Sequence, residues 1–578
     1  MGLVYIEGDM YTRQIGGSHQ VVTTEGKATL NVHLIGPHPI IRHFLDRMTF
    51  SRIVRSCLAT PREGIMDYAQ SLSVLIQNIL LSPGPLYRLS DWAQPIDSDA
   101  LGLSEAEKAA INDDRMARCL DALVAPRARS LFFRIALHII KHFELDTRRI
   151  HHDTTTVTFQ GQYKTSKSRP QITYGVNKDH RPDLKQLVFG VNVTSDGAVP
   201  ISHEVYSGNR TDDTVHRNNV ERLREILGRD DFIYVADSKL CTRKNLEHIS
   251  GYGGKFVTVL PRTRVEDKNF RKSLREGASV RWRKLLKLEN NQRNHDSPNI
   301  YYTTSDGPQK TREGYRLIWY RSTQKAKLDE QTREAALQKA EADLFDLNTR
   351  LNRHKLRKRS QINKAVKEIL KQSNCQNLID VKILSRKVVH TKRLRPGRPR
   401  EGDPLKQVHE NHYQLEVRRN KQALAAEART DGVFPLLSNL ETTQATKKNI
   451  LLFYKYQPYV EKRHALLKSE LMAAPVYIKT PRRAAGLIHA KFLAMVVDAL
   501  IERTVREGMK RENIEELLIL PEGRPTKTPT TARVLEMFSD VSWYEFQRGD
   551  ETITFPIELT KLQKQLLRLL EMDISAYG

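Results

Sequence analysis

Three acidic residues occupy positions in or next to predicted strands and helices where a carboxylate could have a chemical role. Asp153 lies within a Thr-rich run, 149–159, that predicts a β-strand, and Asp is disfavoured in strands. Asp237 follows the apolar strand predicted over 232–236, and Glu461 lies in the first turn of a predicted helix. Carboxylates are hard oxygen ligands that suit Mg²⁺ or Mn²⁺. Two such ions about 3.5–4 Å apart can activate an attacking oxygen and stabilise a leaving one in phosphodiester displacement, which is the chemistry that this triplet indicates.

Each carboxylate also has a purely structural interpretation. Asp153 can lie on an exposed strand face, and Asp237 can cap a helix that begins near Lys239. Glu461 and Lys468 are seven residues apart, about two helical turns, so they share a face that can simply be solvated. Singly, these interpretations are the stronger ones; the ordered triplet within a basic chain favours chemistry.

A zinc site is the second chemical possibility. His151 and His152 directly precede Asp153, and His203 and Glu204 lie on another predicted strand. No regular spacing of His ligands supports such a site. The sequence also shows no convincing nucleophilic triad. The three carboxylates are therefore the better candidates.

The elements that must hold these residues follow from the hydrophobic pattern. Between residues 145 and 264 the pattern predicts a mixed α/β arrangement. Its strands are 149–159, 187–193, 199–206, 232–236 and 256–260, and its helix is 213–227. Pro458 suits the start of the helix that carries Glu461, because its fixed φ is already helical. We expect Tyr454 and Gln457 to precede that helix.

The composition indicates a polyanionic partner. The 578 residues include 94 Lys and Arg against 68 Asp and Glu, a net charge of +26, which favours nucleic acid. No membrane partner is expected, because His489, Lys491 and Asp498 interrupt the longest apolar stretch, 484–501, which predicts a buried helix. The N-terminal residues show no secretion signal. Four widely spaced cysteines without a C-x-x-C pair favour a reducing, cytosolic compartment.

The pattern predicts a catalytic α/β domain that is interrupted by a basic α+β insertion and preceded by a mainly helical domain. We expect the helical domain to bind DNA ends. The predicted segments are 1–144 (helical), 145–264 (first part of the catalytic domain), 265–429 (insertion), 430–510 (second part, with the Glu helix) and 511–578 (C-terminal region). A long charged helix is predicted over 324–355 within the insertion, and a Pro/Thr-rich linker over 521–531.

These features together resemble the cut-and-paste DDE transposases of bacterial insertion sequences. The most similar branch has a partly β insertion between the second Asp strand and the Glu helix, and the signature Y-x2-R-x3-E-x6-K. That signature maps onto Tyr454, Gln457, Glu461 and Lys468. Further likenesses lie at 152–156, 200–208, 235–238 and 461–475, and the resemblance covers roughly residues 145–505.

The resemblance implies a ribonuclease-H-like mixed sheet with helices on both faces. It implies that Asp153, Asp237 and Glu461 are catalytic and hold Mg²⁺ or Mn²⁺, with two ions expected. It further implies strand cleavage and strand transfer on double-stranded DNA, at inverted-repeat ends and a target. A homodimer that joins two ends, at the nucleoid of a prokaryotic cell, is the expected assembly.

The resemblance also assigns residues to DNA binding. Tyr454 and Lys468 would hold phosphates at the element's end. Gln457 stands where the family has Arg, and a Gln lacks both the charge and the bidentate fork.

The segment 393–400, Arg-Leu-Arg-Pro-Gly-Arg-Pro-Arg, resembles a minor-groove hook that would insert Arg395, Arg398 or Arg400 into A·T-rich DNA. A stiff basic linker explains it equally well.

Two other functions are open at this stage. One is a metal-dependent nuclease that cuts DNA without joining it. The other is a DNA-binding protein without enzymatic activity, including a decayed transposase.

Overall fold

The structure, a computed structural model, describes most of the chain. It covers residues 11–578 apart from 16–17, 24–25, 60–64, 162, 164–169, 179–180, 212–213, 290–298, 354, 394–404, 470–477, 479 and 549. The chain forms two compact units. The first comprises Met1–Thr258 and Leu452–Gly578, and the second comprises Val259–Leu451.

The first unit begins with three strands and eight α-helices in the described residues. In chain order they are β1 (Tyr11–Ile15), β2 (Ser18–Thr23), β3 (Gly26–Leu34), α1 (His38–Arg47), α2 (Phe50–Cys57), α3 (Tyr68–Leu81), α4 (Leu89–Ala93), α5 (Ser98–Leu101), α6 (Glu105–Ala109), α7 (Asp113–Leu123) and α8 (Ala128–His142). Side-chain caps fix where several of these helices begin. Asp67 forms a capping box with Gln70, and Ser104 forms another with Glu107. The side chain of Asn112 accepts a hydrogen bond from the backbone N–H of Arg115.

A mixed sheet follows in the same unit, as the strand pattern predicts. Its elements are β4 (Arg149–Phe159), β5 (Lys185–Thr194), β6 (Pro200–Ser207), α9 (His216–Leu227), β7 (Ile233–Val235), α10 (Arg243–Gly251) and β8 (Lys255–Val259). The strand order is β6-β5-β4-β7-β8. β5 runs antiparallel to β4 and β6, whereas β4, β7 and β8 are parallel. β5 is buried along nearly its whole length, as expected for a strand covered on both faces.

The second unit combines an antiparallel sheet, helices and a long hairpin. Its elements are α11 (Val265–Arg275), β9 (Arg283–Leu288), β10 (Ile300–Ser305), β11 (Arg316–Ser322), α12 (Thr323–Thr349), α13 (Arg359–Gln372), β12 (Ile379–Arg393), β13 (Leu405–Arg419), α14 (Lys421–Ala428) and β14 (Val433–Ser438), and α15 (Lys447–Lys455) begins in it. Strands β14, β11, β10 and β9 lie side by side in that order. Leu344 of α12, Val366 of α13 and Leu415 of β13 belong to one buried apolar cluster, so the base of the hairpin packs on two helices.

One prediction for this unit is wrong, and two of its features were not predicted. The helix predicted over 324–355 ends at Thr349, and the separate helix α13 and the hairpin β12–β13 were not predicted. Asn352 explains the break: it has a left-handed φ of 65°, which Asn tolerates better than most residues. Its side-chain amide donates to the carbonyl of Tyr413 at 2.9 Å and accepts from the Tyr413 N–H at 2.7 Å. The hairpin therefore holds the chain in the turn.

The rest of the first unit surrounds a long buried helix. Its elements are α16 (Gln457–Ser469), α17 (Pro481–Arg511), β15 (Leu517–Leu520), β16 (Arg524–Thr526), α18 (Thr531–Glu536), β17 (Ser542–Arg548), β18 (Glu551–Phe555) and α19 (Lys561–Leu569). β16 lies within the segment predicted to be a linker. β17 pairs with β3, so the two ends of the chain share one sheet, in the order β1-β2-β3-β17-β18.

Helix α17 is long and apolar enough to cross a membrane by length and composition alone, but 89% of its apolar window is buried inside the protein. The predicted buried helix is therefore confirmed. Gly486 permits a close approach to α7, because a Cβ there would lie 2.3 Å from the carbonyl oxygen of Leu120.

Candidate active site

Asp153 lies on the central strand β4 and is surrounded by groups that favour its ionised form. Its Oδ1 accepts a 2.8 Å hydrogen bond from the backbone N–H of Thr154 and lies 3.5 Å from Nζ of Lys178. Its Oδ2 lies 3.4 Å from Nδ1 of His464. Burial by itself raises the pKa of Asp153, but the hydrogen bond and charge of His464, with smaller contributions from Lys178 and Thr154, bring the pKa well below its usual value.

Asp237 lies two residues after the short parallel strand β7, which is next to β4 in the sheet. Its Oδ1 accepts a 3.0 Å hydrogen bond from the N–H of Lys239, so it caps a single 3₁₀ turn, Ser238–Leu240. Its carbonyl accepts a 2.6 Å hydrogen bond from the hydroxyl of Thr258 on β8. The cap interpretation is correct, and the same contacts fix the carboxylate at the carboxyl end of a strand, where α/β sheets bind ligands.

Glu461 is an exposed residue of α16, the helix that lies against β4. Gln457, the first residue of that helix, is buried, and its Nε2 donates a 2.7 Å hydrogen bond to the carbonyl of His152. Its Oε1 lies 3.3 Å from Nδ1 of His151. The amide of Gln457 is thus engaged by the two residues that precede Asp153, and it positions the Glu461 helix on the Asp153 strand.

Tyr454 is a partly buried tyrosine whose pKa is influenced by all three carboxylates. It lies in α15, one turn before the start of α16. Burial raises the pKa of its phenol above the ordinary value, and the charges of Asp237, Glu461 and Asp153 raise it further. Coulombic effects decay with distance and with screening. The charges of three acidic residues from distant parts of the sequence therefore act on one tyrosine.

A buried network of hydrogen bonds connects β4 to β5, α9 and β7. His152 has its Nδ1 3.0 Å from Oδ1 of Asn192, and the amides of Asn192 and Asn219 exchange hydrogen bonds of 2.7 and 2.8 Å. Asn219 of α9 also donates to the Tyr234 hydroxyl at 2.9 Å. Buried polar groups that are satisfied in this way rigidify the strand that carries Asp153.

A second buried network holds α16 on α17. The Arg463 guanidinium, whose side chain is 7% exposed, pairs with Asp498 at 2.6 Å and with Glu502 at 2.7 Å. It also donates to the carbonyls of Gly197 and Ala198 at 3.0 and 3.1 Å. Arg463, which lies two residues after Glu461, thereby holds α16 in place.

The donor set suits a hard divalent cation, since it offers three carboxylates and keeps Asp153 ionised. The three carboxylates are not all within 4.8 Å of one another. In the described part of the chain, three potential ligand residues do lie within that distance of one another. They are His390, Glu410 and His412, on β12 and β13. A site for two ions does not require such closeness, because ions about 3.5–4 Å apart allow the outer carboxylates to bind different ions.

The remaining predicted residues are placed as follows. Lys468 lies in the last turn of α16 and is half-buried, on the helix of Glu461. Gln457 begins that helix instead of preceding it. Arg395, Arg398 and Arg400 lie outside the described residues.

The zinc alternative finds no support among the described residues. His151, His152, His203 and Glu204 do not form a group with the spacing of metal ligands. Instead, His203 has its Nε2 2.6 Å from Nδ1 of His489, and Glu204 pairs with Arg222.

Two residues at the site were missed in the sequence. His464 follows Glu461 by three residues, so helical spacing alone places both on one side of α16, and this signal could have found it. Lys178 lies in the connection between β4 and β5, where it donates to the carbonyl and hydroxyl of Thr154. No sequence pattern marks Lys178, because the fold alone brings it to Asp153.

Comparisons with known proteins gave three results. Residues 30–137, in the N-terminal part, match a family model described as a domain of unknown function (DUF4277). No curated protein matches the sequence. Solved structures that match include the cryo-EM structure of the piggyBac transposase synaptic complex with hairpin DNA, at 9% identity over 88% of this chain and 80% of that chain, with a TM-score of 0.35. A likeness at this level identifies no shared fold, so the chemistry is inferred from the residues of this chain.

Proposed function

We propose that the chain is a DNA transposase of the DDE type, with Asp153, Asp237 and Glu461 as its catalytic residues. The observation that carries this proposal is the placement of the three carboxylates: Asp153 lies on β4, Asp237 follows the neighbouring strand β7, and Glu461 lies on α16, which packs against β4. The net charge of +26 supports DNA as the partner.

The strand order supports a ribonuclease-H-like core for this chemistry. β5 is the one antiparallel strand in the sequence β6-β5-β4-β7-β8. Asp153 lies on the middle strand, and Asp237 follows the neighbouring parallel strand. The helix α16 brings Glu461 to the same strand. Such a site is expected to cleave phosphodiester bonds without a Ser, His or Cys nucleophile.

In this proposal two carboxylates of the site are held by hydrogen bonds and the third is exposed. Backbone N–H groups hold one oxygen of Asp153 and one of Asp237, whereas exposed Glu461 completes the ligand set from the helix. Mg²⁺ or Mn²⁺, as two ions, would neutralise charge at the scissile phosphate and activate the attacking oxygen. His464 and Lys178 position Asp153 and keep it ionised.

Tyr454 and Lys468 are the proposed phosphate contacts. The Tyr454 phenol, like any tyrosine with a pKa at or above its ordinary value, keeps its proton at neutral pH and can donate a hydrogen bond to a phosphate oxygen. Lys468 lies farther along α16 and supplies a cation. Gln457 is assigned to positioning the helix, because its amide is buried against β4. The basic segment with Arg395, Arg398 and Arg400 is proposed as a further DNA contact, and assembly of two ends as a homodimer.

The test uses a duplex that carries the inverted repeats expected in the DNA on either side of the gene. Asp237→Asn should bind this duplex with unchanged affinity but lose Mg²⁺-dependent nicking at the repeat end. Asp231→Asn is the matched control, since Asp231 is an exposed acidic residue just before the same strand. Nicking by Asp237→Asn at the wild-type rate would refute the assignment.

The same assay separates transposition from the other functions. Pre-cut ends and a target plasmid should give joined products with the wild-type protein. Cleavage without joining would instead identify a nuclease. Binding with steep salt dependence but no nicking in Mg²⁺ or Mn²⁺ would identify a DNA-binding protein without enzymatic activity.

A further inference from the structure

We propose that the hairpin β12–β13 carries a second metal site, formed by His390, Glu410 and His412, which would take a transition-metal dication and Zn²⁺ in particular. One potential ligand atom from each of these residues lies within 4.8 Å of those of the other two. The site is independent of the proposed transposase chemistry, since it shares no residue with Asp153, Asp237 or Glu461.

The strand register explains why the three side chains meet. His390 pairs with Val408, Val388 pairs with Glu410, and Arg386 pairs with His412. In an antiparallel pair, directly opposite residues and every second residue along each strand share a face. His390 on β12 therefore lies on the same face as Glu410 and His412 on β13. The ligands come from both strands, so an ion would join them.

The distance between the two imidazoles is compatible with tetrahedral coordination by zinc. The Nε2 atoms of His390 and His412 are 3.3 Å apart. Two nitrogens that each lie about 2.0–2.1 Å from a tetrahedral zinc are about 3.3 Å from one another. All three residues are half-buried, which limits competition from water. The geometry needs only a carboxylate oxygen and a water to complete the coordination.

The donor chemistry also selects the class of ion. Two imidazoles and one carboxylate favour Zn²⁺ and its transition-metal neighbours, whereas Mg²⁺ prefers an all-oxygen set. The two sites proposed for this chain therefore differ in the ion they would hold: Mg²⁺ or Mn²⁺ at the three carboxylates, and Zn²⁺ at the hairpin.

Lys392 is the competitor that an ion must displace. Its ammonium pairs with the Glu410 carboxylate. Because the Lys392 side chain is exposed, the pairing is weak and exchangeable.

An ion at this position would have a structural role. The buried cluster that holds the hairpin base includes Ile379 and Leu415, with Ile383 and Tyr413 packed against it. The metal ligands lie farther out, where a two-stranded hairpin alone is marginally stable. They are close in sequence to the connection 394–404, which contains the basic segment. Zinc would thus fix the strands from which that segment extends.

The test is metal binding by the full-length chain in which Asp153 and Asp237 are both replaced by Asn, so that the carboxylate site contributes nothing. Zn²⁺ affinity is measured by competition with a chromophoric chelator, and Co²⁺ substitution is monitored by its visible absorption. We expect one ion per chain with tetrahedral Co²⁺ bands. His390→Ala and His412→Ala should each weaken binding at least about ten-fold, since even outer partners of a metal site contribute that much.

His409→Ala is the matched control, because His409 is exposed and lies on the opposite face of the same hairpin. Its Zn²⁺ affinity should equal that of the parent. Lys392→Met should tighten Zn²⁺ binding about three-fold, as expected for removal of a weak surface pair. Unchanged far-UV circular dichroism would show that the variants are folded. Equal Zn²⁺ affinity in the parent and in both His390→Ala and His412→Ala would refute the site.

Discussion

Replacing Arg463 by Met tests whether the Glu461 helix depends on the buried ion pairs beneath it. The guanidinium pairs with Asp498 and Glu502 and donates to two backbone carbonyls, while the side chain is 7% exposed. Met would occupy most of the volume of the Arg stem but leave both carboxylates without this partner. Glu502 also pairs with Arg506, which this substitution leaves in place.

The expected cost is about 3 kcal/mol of unfolding free energy. Removing one partner of a buried ion pair costs about 3–5 kcal/mol, because it leaves an uncompensated charge. We take the lower end, since Glu502 keeps its pairing with Arg506. For a unit that comprises Met1–Thr258 and Leu452–Gly578, the usual unfolding entropy per residue converts this cost into a decrease in Tm of about 4 °C.

Calorimetry of the full chain measures this change, with Lys462→Met as the control. Lys462 is the adjacent residue on the same helix and is exposed, so its replacement should shift Tm by less than about 1 °C. Adding Asp498→Asn to Arg463→Met should recover part of the lost stability, because it removes one of the two carboxylates that Arg463 neutralises. An Arg463→Met protein with the wild-type Tm, or no recovery by Asp498→Asn, would contradict the reasoning.

Three further substitutions have defined outcomes. His464→Ala should slow single-turnover nicking about 10- to 100-fold with little change in DNA affinity, because it removes a group that positions Asp153. Burial lowers the pKa of Lys491 from 10.5 to about 7, so the unfolded chain binds its proton more tightly and wild-type stability rises between pH 7 and pH 10. Lys491→Met should remove that rise and stabilise the protein at pH 7, as measured by Tm against pH. Gly486→Val should lower Tm by several degrees, because its Cβ would collide with the carbonyl of Leu120.

The local pattern predicts those parts of the fold that depend on nearby residues. The apolar run of β5 and the buried helix α17 each occur close to their predicted positions. Asp237 follows β7 as expected, since the strand and its cap are both encoded within a few residues. The mixed α/β arrangement is therefore readable from the sequence.

What could not be predicted depends on long-range contacts. α12 ends where Asn352 exchanges hydrogen bonds with Tyr413, which is 61 residues away. β12 and β13 alternate charged and apolar residues without a clean period, and only their pairing explains them. Lys178 and His464 approach Asp153 from two separate parts of the chain. The role of Gln457 is likewise visible only through its bond to the carbonyl of His152.

Metal-specificity exchange tests most directly whether the three carboxylates form one metal site. Asp153, Asp237 and Glu461 are each replaced by Cys, and nicking of the repeat-end duplex is measured in Mg²⁺ and in Mn²⁺. A thiolate is a poor ligand for Mg²⁺ and a better one for Mn²⁺. We predict that all three variants bind the duplex normally, fail to nick it in Mg²⁺ and regain nicking in Mn²⁺. Undiminished nicking in Mg²⁺ by any one of them would contradict the proposed site.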